Sequence, residues 1–342
     1  MRAAVWTELN KIEVMDVERP SLGPNEVQIK VHATGMCITD LHVYTGQFAY
    51  GKPPHVLGHE IAGEICEVAN PEHGYLLGTR VTVETSVGCG TCGFCRSGRP
   101  NLCPDMTEIG FTPHQGGYAE YVNVPVGNIV KIPDNVSYEE AGIIESIVCP
   151  MGALIRNQIN FGETVAVFGV GPAGLAFIQG AKLLGAGKVI AIGRSDFPLQ
   201  RAKNFGADIL INTKTEDAEQ RILAETAGMG VDLVCEAAGV PETIKKSFDI
   251  VRKAGRVILY GIPGDHDEIA FPVTKIITNQ LEVHGAVGEP AVWRPLLDMV
   301  ADGRFDVKSM ITHRVCLEDI NQGFEILKTK KDYPVKVVVV HS

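Results

Sequence analysis

Thr164-Val165-Ala166-Val167-Phe168-Gly169-Val170-Gly171-Pro172-Ala173-Gly174 decides the fold. Five residues of strand character run straight into a G-x-G-x-x-G turn, and the stretch Pro172 to Leu184 that follows has the length and apolar content of a helix. Glycines at Gly169, Gly171 and Gly174 permit a tight turn and close backbone approach to a pyrophosphate. Pro172 and Ala173 open a helix whose N-terminus offers unpaired N–H groups and the positive end of its dipole. The six residues alone also suit an ordinary tight turn; their position between strand and helix is what points to a dinucleotide.

Downstream the alternation continues. Strand-like runs at Lys188 to Ile192, Val231 to Glu236, Arg256 to Tyr260 and Gln280 to His284 are interleaved with helix-like stretches at Pro198 to Phe205 and Thr243 to Val251. This is a βαβ series, and it predicts an α/β fold with a doubly wound parallel sheet covered by helices. Upstream, from Ala3 to about Lys131, short β-like runs are broken by Gly and Pro: Glu26 to Ala33, Ile61 to Ala69, Arg80 to Glu84, Tyr118 to Val124 and Asn128 to Ile132. A helical pattern begins at about Ser137. The tail holds a helix candidate at Val292 to Ala301 and an apolar strand at Val335 to Val340, expected to return to the β-rich part. Two domains follow: residues 1–150 with 288–342, and a dinucleotide-binding domain at 151–287.

A dinucleotide domain specific for NAD places Asp or Glu at the end of its second strand, to bind the ribose 2′-OH. Here that strand ends in Gly193-Arg194-Ser195. Glycine leaves room for a 2′-phosphate, and arginine and serine can bind one. NADP is therefore expected ahead of NAD, with Asp196 the one residue that weighs the other way.

The chain has 342 residues, 45% hydrophobic and 21% charged, enough for a sizeable core. Its formal charge of −10 and lack of basic runs speak against a nucleic-acid partner. No apolar run is long enough for a membrane span, and Met1 to Asp16 lacks the apolar core of a secretory signal. A cytoplasmic protein is the expectation. There its nine cysteines stay reduced, and clustered ones suggest metal before disulfide.

Cys89, Cys92, Cys95 and Cys103 form such a cluster, Cys-x2-Cys-x2-Cys-x7-Cys in a Gly-rich loop. Four thiolates suit a closed tetrahedral zinc with no position open to substrate, hence a structural one; an iron–sulfur cluster is the rival with similar spacing. A looser set comprises Cys37, in Gly35-Met36-Cys37-Ile38-Thr39-Asp40-Leu41-His42, with His59 and Glu60. Thiolate, imidazole and carboxylate can hold zinc and leave a position open. By spacing alone they read equally as a small buried thiol, a loop histidine and a surface acid.

Taken together, Gly58-His59-Glu60-Ile61-Ala62-Gly63, the four-cysteine lobe and Gly169 to Gly174, in this order, resemble the zinc-containing medium-chain dehydrogenase/reductase family of alcohol, sorbitol and threonine dehydrogenases. The resemblance spans essentially the whole chain. It implies a GroES-like β-rich catalytic domain beside a Rossmann domain, a homodimer or homotetramer, and hydride transfer between a small secondary alcohol, polyol or sugar and the dinucleotide. Two zinc ions per chain are implied. Cys37 and His59 would hold the catalytic one, with Glu60 a ligand in some states and Glu145 falling where polyol members carry an acid near zinc. Thr39 and His42 match the proton relay. Ala238, Gly261, Ile262, Ala286 and Val287 would line the nicotinamide end. Departures from sorbitol dehydrogenases are Ser146 after Glu145, where proline is usual, and Gly285 to Gly288, where an arginine is usual. A non-catalytic NADPH-binding zinc protein is the reading from another class, and the intact set Cys37, Thr39, His42, His59 and Glu60 weighs against it.

Overall fold

Why the chain divides where it does follows from hydrophobic period. Up to Val148 the apolar residues alternate along short strands, whereas beyond it strands of near-continuous apolar residues alternate with helices. The computed structural model, which describes residues 1–70, 72, 77–264 and 268–341, separates into two compact units, Met1–Val148 with Gly288–Ser342, and Cys149–Val287.

In the first unit a three-stranded sheet joins Lys11–Asp16, Arg2–Glu8 and His55–Val56, and a larger, mostly antiparallel sheet runs in the order Ile129–Lys131, Arg80–Val83, Glu60–Val68, Glu26–Met36, Lys336–Val340, Ile311–Cys316. Tyr121–Pro125 also pairs with Glu26–Met36. That long strand is the spine, and its far end is covered by the tail, Val337 opposite Met36 and Val339 opposite Thr34. The core between the sheets packs Trp6, Met36, Leu57, Tyr118, Phe324 and Val337, all nearly inaccessible. The helix signal at Ser137 is realised as a capping box: the Ser137 Oγ accepts from the Glu140 amide at 3.2 Å, and the Glu140 carboxylate accepts from the Ser137 amide at 2.9 Å.

The second unit is a six-stranded sheet in the order Ile209–Asn212, Lys188–Gly193, Thr164–Phe168, Val231–Glu236, Val251–Leu259, Glu282–Gly285. Every pairing is parallel. Numbered along the chain this is 3-2-1-4-5-6, the doubly wound order in which ligands bind where the order reverses, beyond the C-terminal ends of the first and fourth strands. The first strand has the bounds expected from sequence. Others shift by a few residues: the helix expected from Pro198 begins at Asp196, and the strand expected at Arg256 begins at Val251.

One close approach tests this packing. A Cβ on Gly63 would lie 2.2 Å from the Lys30 carbonyl oxygen, because Glu60–Val68 is drawn hard against the spine strand. Gly63→Ala should destabilise the protein by about 2 kcal/mol, while Gly127→Ala, where an added Cβ meets nothing within 4 Å, should change it by less than about 0.5 kcal/mol; urea unfolding of both variants checks this.

Candidate metal and dinucleotide sites

Cys37 ends the spine strand and caps the helix Ile38–Thr45. Three residues on, Asp40 turns back and accepts the Cys37 amide at 2.9 Å. The same buried carboxylate accepts from the Tyr118 hydroxyl at 2.8 Å and from His59 Nδ1 at 3.2 Å. A carboxylate is acceptor-only, so Nδ1 carries the proton and Nε2 keeps its lone pair for a metal. Burial opposes ionisation of Asp40, but His59, the Cys37 amide and Tyr118 outweigh it and hold the carboxyl below its usual range. Burial likewise opposes charge on His59, and Asp40 and Cys37 more than offset it, so the imidazole lies well above its ordinary value. A proton on His59 and a divalent cation beside it answer to the same surplus of negative charge.

Glu60 follows His59 and is fully buried, which rules out its reading as a surface acid. Lys336, also buried, donates to Glu60 Oε1 at 2.5 Å and to the Met36 carbonyl at 3.1 Å. Burial works against the Lys336 charge, yet Glu60 and Cys37 keep its pKa above the ordinary value. The other oxygen, Glu60 Oε2, is buried and has no hydrogen-bond partner. It lies over Gly35, where a Cβ would come within 1.9 Å. The ligand atoms of Cys37, His59 and Glu60 all fall within 4.8 Å of one another. Donor atoms this close can converge on one zinc ion, with bonds of about 2.0 to 2.3 Å, after small side-chain shifts, and the orphaned oxygen is an acceptor that such an ion would satisfy. Glu145, at the start of the helix Glu145–Arg156, is outside this trio but brings its carboxylate to 3.8 Å from His59 Nε2. Burial, with Glu60 and Glu108 adding to it and His59 opposing, pushes the Glu145 carboxyl up to about 7.

Thr39 and His42 share a face of Ile38–Thr45, three residues apart. Thr39 Oγ1 lies 3.5 Å from Cys37 Sγ. His42 packs edge-on against Phe48 with ring centres 4.7 Å apart, and its Nδ1 is buried without a partner. Burial, then Lys330, lowers its pKa, so the ring is neutral near pH 7 and ready to accept a proton.

The lobe folds as its spacing suggests. Cys89 Sγ accepts the Cys92 amide, Cys92 Sγ the Cys95 amide, each at 3.4 Å, and Cys103 Sγ the Cys89 amide at 3.3 Å. All four sulfurs are within 4.8 Å of one another. Hydrogen bonds led by Thr91 bring Cys89 down to about 6, toward the thiolate that binds metal. The short pair Ser86–Val87 and Thr107–Glu108 closes the base of the loop.

In the second unit Gly169 has φ of +90° and sits against Ala237 and Ala238; a Cβ on Gly174 would be 2.0 Å from the Gly169 oxygen. Gly171 caps the helix Pro172–Leu183, with Ala173 in its first turn, and a Cβ there would enter open space. These are the roles of turn, close packing and ligand approach that a pyrophosphate site needs. Gly193 ends its strand against Leu199 and Val170, Arg194 is exposed, and the Ser195 side chain does not cap the helix it precedes. Asp196 is bound at 2.7 Å by Asn212 Nδ2. Ala238, Gly261 and Ile262 lie at the C-terminal ends of the fourth and fifth strands, Ala286 and Val287 just past the sixth, and Ile262 and Val287 are exposed.

Sequence reasoning missed Asp40, Tyr118, Lys336 and Glu236. Two left a trace: Asp40 stands at the capping-box distance from Cys37, and Lys336 opens an otherwise apolar strand, where an unpaired charge has no place.

Residues 23–134 match the alcohol dehydrogenase GroES-like domain and residues 172–302 the zinc-binding dehydrogenase family. The chain is 34% identical to sorbitol dehydrogenase of Bacillus subtilis, covering 99% of this chain and 97% of that one. It is 35% identical to L-threonine 3-dehydrogenase of Pyrococcus abyssi, over 93% and 92%. Among solved structures, a zinc-binding dehydrogenase of Sinorhizobium meliloti bound to NADP superposes with a TM-score of 0.92 at 31% identity, covering 99% and 98%.

Asp40→Asn should lower zinc affinity at the Cys37 site by about 10- to 100-fold, because it loosens the imidazole that faces the ion. Competition with a chromophoric chelator measures this, the four-cysteine lobe serving as internal reference.

Proposed function

The chain belongs to the zinc-containing medium-chain dehydrogenase/reductase family, and on that premise we propose that it oxidises a secondary alcohol or polyol, and reduces the matching ketone, with NADP as its preferred dinucleotide. The observation that carries the reading is the trio Cys37, His59 and Glu60, with one carboxylate oxygen buried and unsatisfied. Cys37, His59 and Glu60 would hold a catalytic zinc, Glu145 standing beside it, and Cys89, Cys92, Cys95 and Cys103 a second, structural one. When bound, zinc supplies Lewis acidity that eases loss of an alcohol proton, and the dinucleotide takes the hydride.

This chain's residues do the rest. Asp40 holds His59 in one tautomer, and Lys336 ties down one oxygen of Glu60. Thr39 receives the substrate proton and passes it toward His42, which its buried setting keeps neutral. Gly169, Gly171 and Gly174 admit the pyrophosphate. Gly193, Arg194 and Ser195 take the 2′-phosphate, and Asp196, whose Oδ1 accepts from Asn212 Nδ2 at 2.7 Å, keeps its charge and remains the one residue that weighs the other way. A homodimer or homotetramer in the cytoplasm is the assembly and place we assign, consistent with the open edge strand Glu282–Gly285 and the exposed Val273 and Ile277 beside it in the chain.

Initial rates with NADP and with NAD across secondary alcohols, polyols and threonine, with and without a zinc chelator, test the proposal. Chelator-sensitive turnover favouring NADP is expected; chelator-resistant turnover, or none with any alcohol, contradicts it. Arg194→Ala should raise the Kd for NADP at least tenfold and leave that for NAD within about twofold. His42→Gln should cost about 10- to 100-fold in alcohol oxidation at pH 6 to 7, a loss that shrinks at higher pH as hydroxide takes over proton removal.

A further inference from the structure

Glu236 ends the fourth strand of the parallel sheet, beside the first strand, at the point where the strand order reverses. It is completely buried, and the donors at its carboxylate are neutral. Oε1 accepts from the Ala238 amide at 3.0 Å, the Gly239 amide at 3.1 Å and the Thr243 hydroxyl at 2.7 Å. Oε2 accepts from the Gly239 amide at 3.2 Å. Its main-chain carbonyl receives the Tyr260 and Gly261 amides at 3.0 and 2.9 Å. Burial raises the carboxyl pKa, and the Thr243, Gly239 and Ala238 bonds act against that rise.

Two loops at the ligand-binding edge of the sheet therefore meet at Glu236, and the first of them also lies against the Gly-rich turn. The Ala237 amide donates to the Phe168 carbonyl at 2.9 Å, and a Cβ on Gly169 would lie 3.1 Å from the backbone of Ala237 and Ala238, so these two residues wall the Gly-rich turn. On the other side, a Cβ on Gly261 would lie 2.2 Å from the Gly239 nitrogen and 2.8 Å from Glu236 Oε2. A strand that only had to pack would end in an apolar residue, because burying a carboxylate is costly. Oε1 alone gathers two adjacent amides and a hydroxyl, and Oε2 faces the Gly239 amide again, so only an acceptor-only group fits here without setting a donor against that amide.

We propose that Glu236 is a positioning residue of the dinucleotide site: its carboxylate folds residues 237–239 against the Gly169 turn and Gly261, and so gives the crevice the shape that admits the dinucleotide. The inference rests on the reading of Gly169 to Gly174 as a pyrophosphate site. In Glu236→Gln one oxygen becomes an NH2 that faces the Gly239 amide, donor against donor, with no change of volume. Thr243→Val removes the hydroxyl donor, and Thr243→Ser keeps it while losing a methyl group.

The test is the Kd of NADPH for each full-length variant, read by the quenching of protein fluorescence, with thermal unfolding of the same samples. Glu236→Gln is expected to raise Kd at least tenfold and Thr243→Val at least threefold, with Thr243→Ser within twofold of the parent. A residue that served packing alone would give the opposite pattern for threonine, Ser being as harmful as Val, and that result overturns the proposal. So does a Glu236→Gln protein that binds within twofold of the parent. If Glu236→Gln does not fold, the Thr243 pair decides between the same two outcomes. Failure of the parent itself to bind NADPH would remove the dinucleotide reading, and this inference with it.

Discussion

A buried carboxylate beside a thiol is the constraint around which the first unit is built. Glu60 and Asp40 are wholly buried, and the half-buried Cys37 and Glu145 stand beside them around His59. Such charge is costly unless paired and hydrogen-bonded. The chain answers with one lysine, and that lysine comes from the far end of the sequence. Lys336 reaches Glu60 only because the tail strand Lys336–Val340 pairs with Glu26–Met36, whose last carbonyl it also binds. Completion of the sheet and charge balance at the site are thus one event. One oxygen of Glu60 is held by the lysine and the other is left without a donor. The divalent cation proposed for this site would balance what Lys336 does not.

The second unit solves a different problem, how to bring backbone close to a ligand. Its first strand is almost wholly apolar, and ion pairs such as Arg252–Asp232 fasten the N-terminal end of the sheet while the glycine turns lie at the C-terminal end. Glycines at 169, 174 and 261 let neighbouring loops touch, each at a place where an added Cβ would press on backbone. Glu236 binds two of those loops through side chain and carbonyl alike. The position of a ligand is then set by amides fixed to a rigid sheet, which is the arrangement that keeps a site accurate.

Much of this was legible in the sequence, for physical reasons that differ from case to case. The parallel sheet was legible because Thr164 to Phe168 and its successors carry both period and punctuation: an unbroken apolar run, then glycines, then a helix. The four-cysteine lobe was legible because its ligands are local, so spacing along the chain is spacing in space. Cys37, His59 and Glu60 were only half legible, since 22 positions separate Cys37 from His59 and sheet register alone joins them; the family resemblance supplied what spacing could not. Tyr118 was invisible as a site residue and Lys336 showed only as a charge out of place in an apolar strand, because their partners lie far away along the chain. The terminal hairpin Arg2–Glu8 with Lys11–Asp16 was passed over for a simpler reason: its second strand alternates charged and apolar residues and reads as solvated chain.

The two metal centres proposed for this chain differ in chemistry, one closed and all-sulfur, one open with a single thiolate. X-ray absorption at the zinc edge of the zinc-loaded protein separates them. Averaged over both ions, about two and a half sulfur neighbours per zinc are expected at about 2.3 Å, with nitrogen and oxygen neighbours near 2.0 to 2.2 Å making up the remainder. Four sulfurs per zinc with no lighter neighbours would mean that only the lobe binds metal, and would contradict the assignment of Cys37, His59 and Glu60.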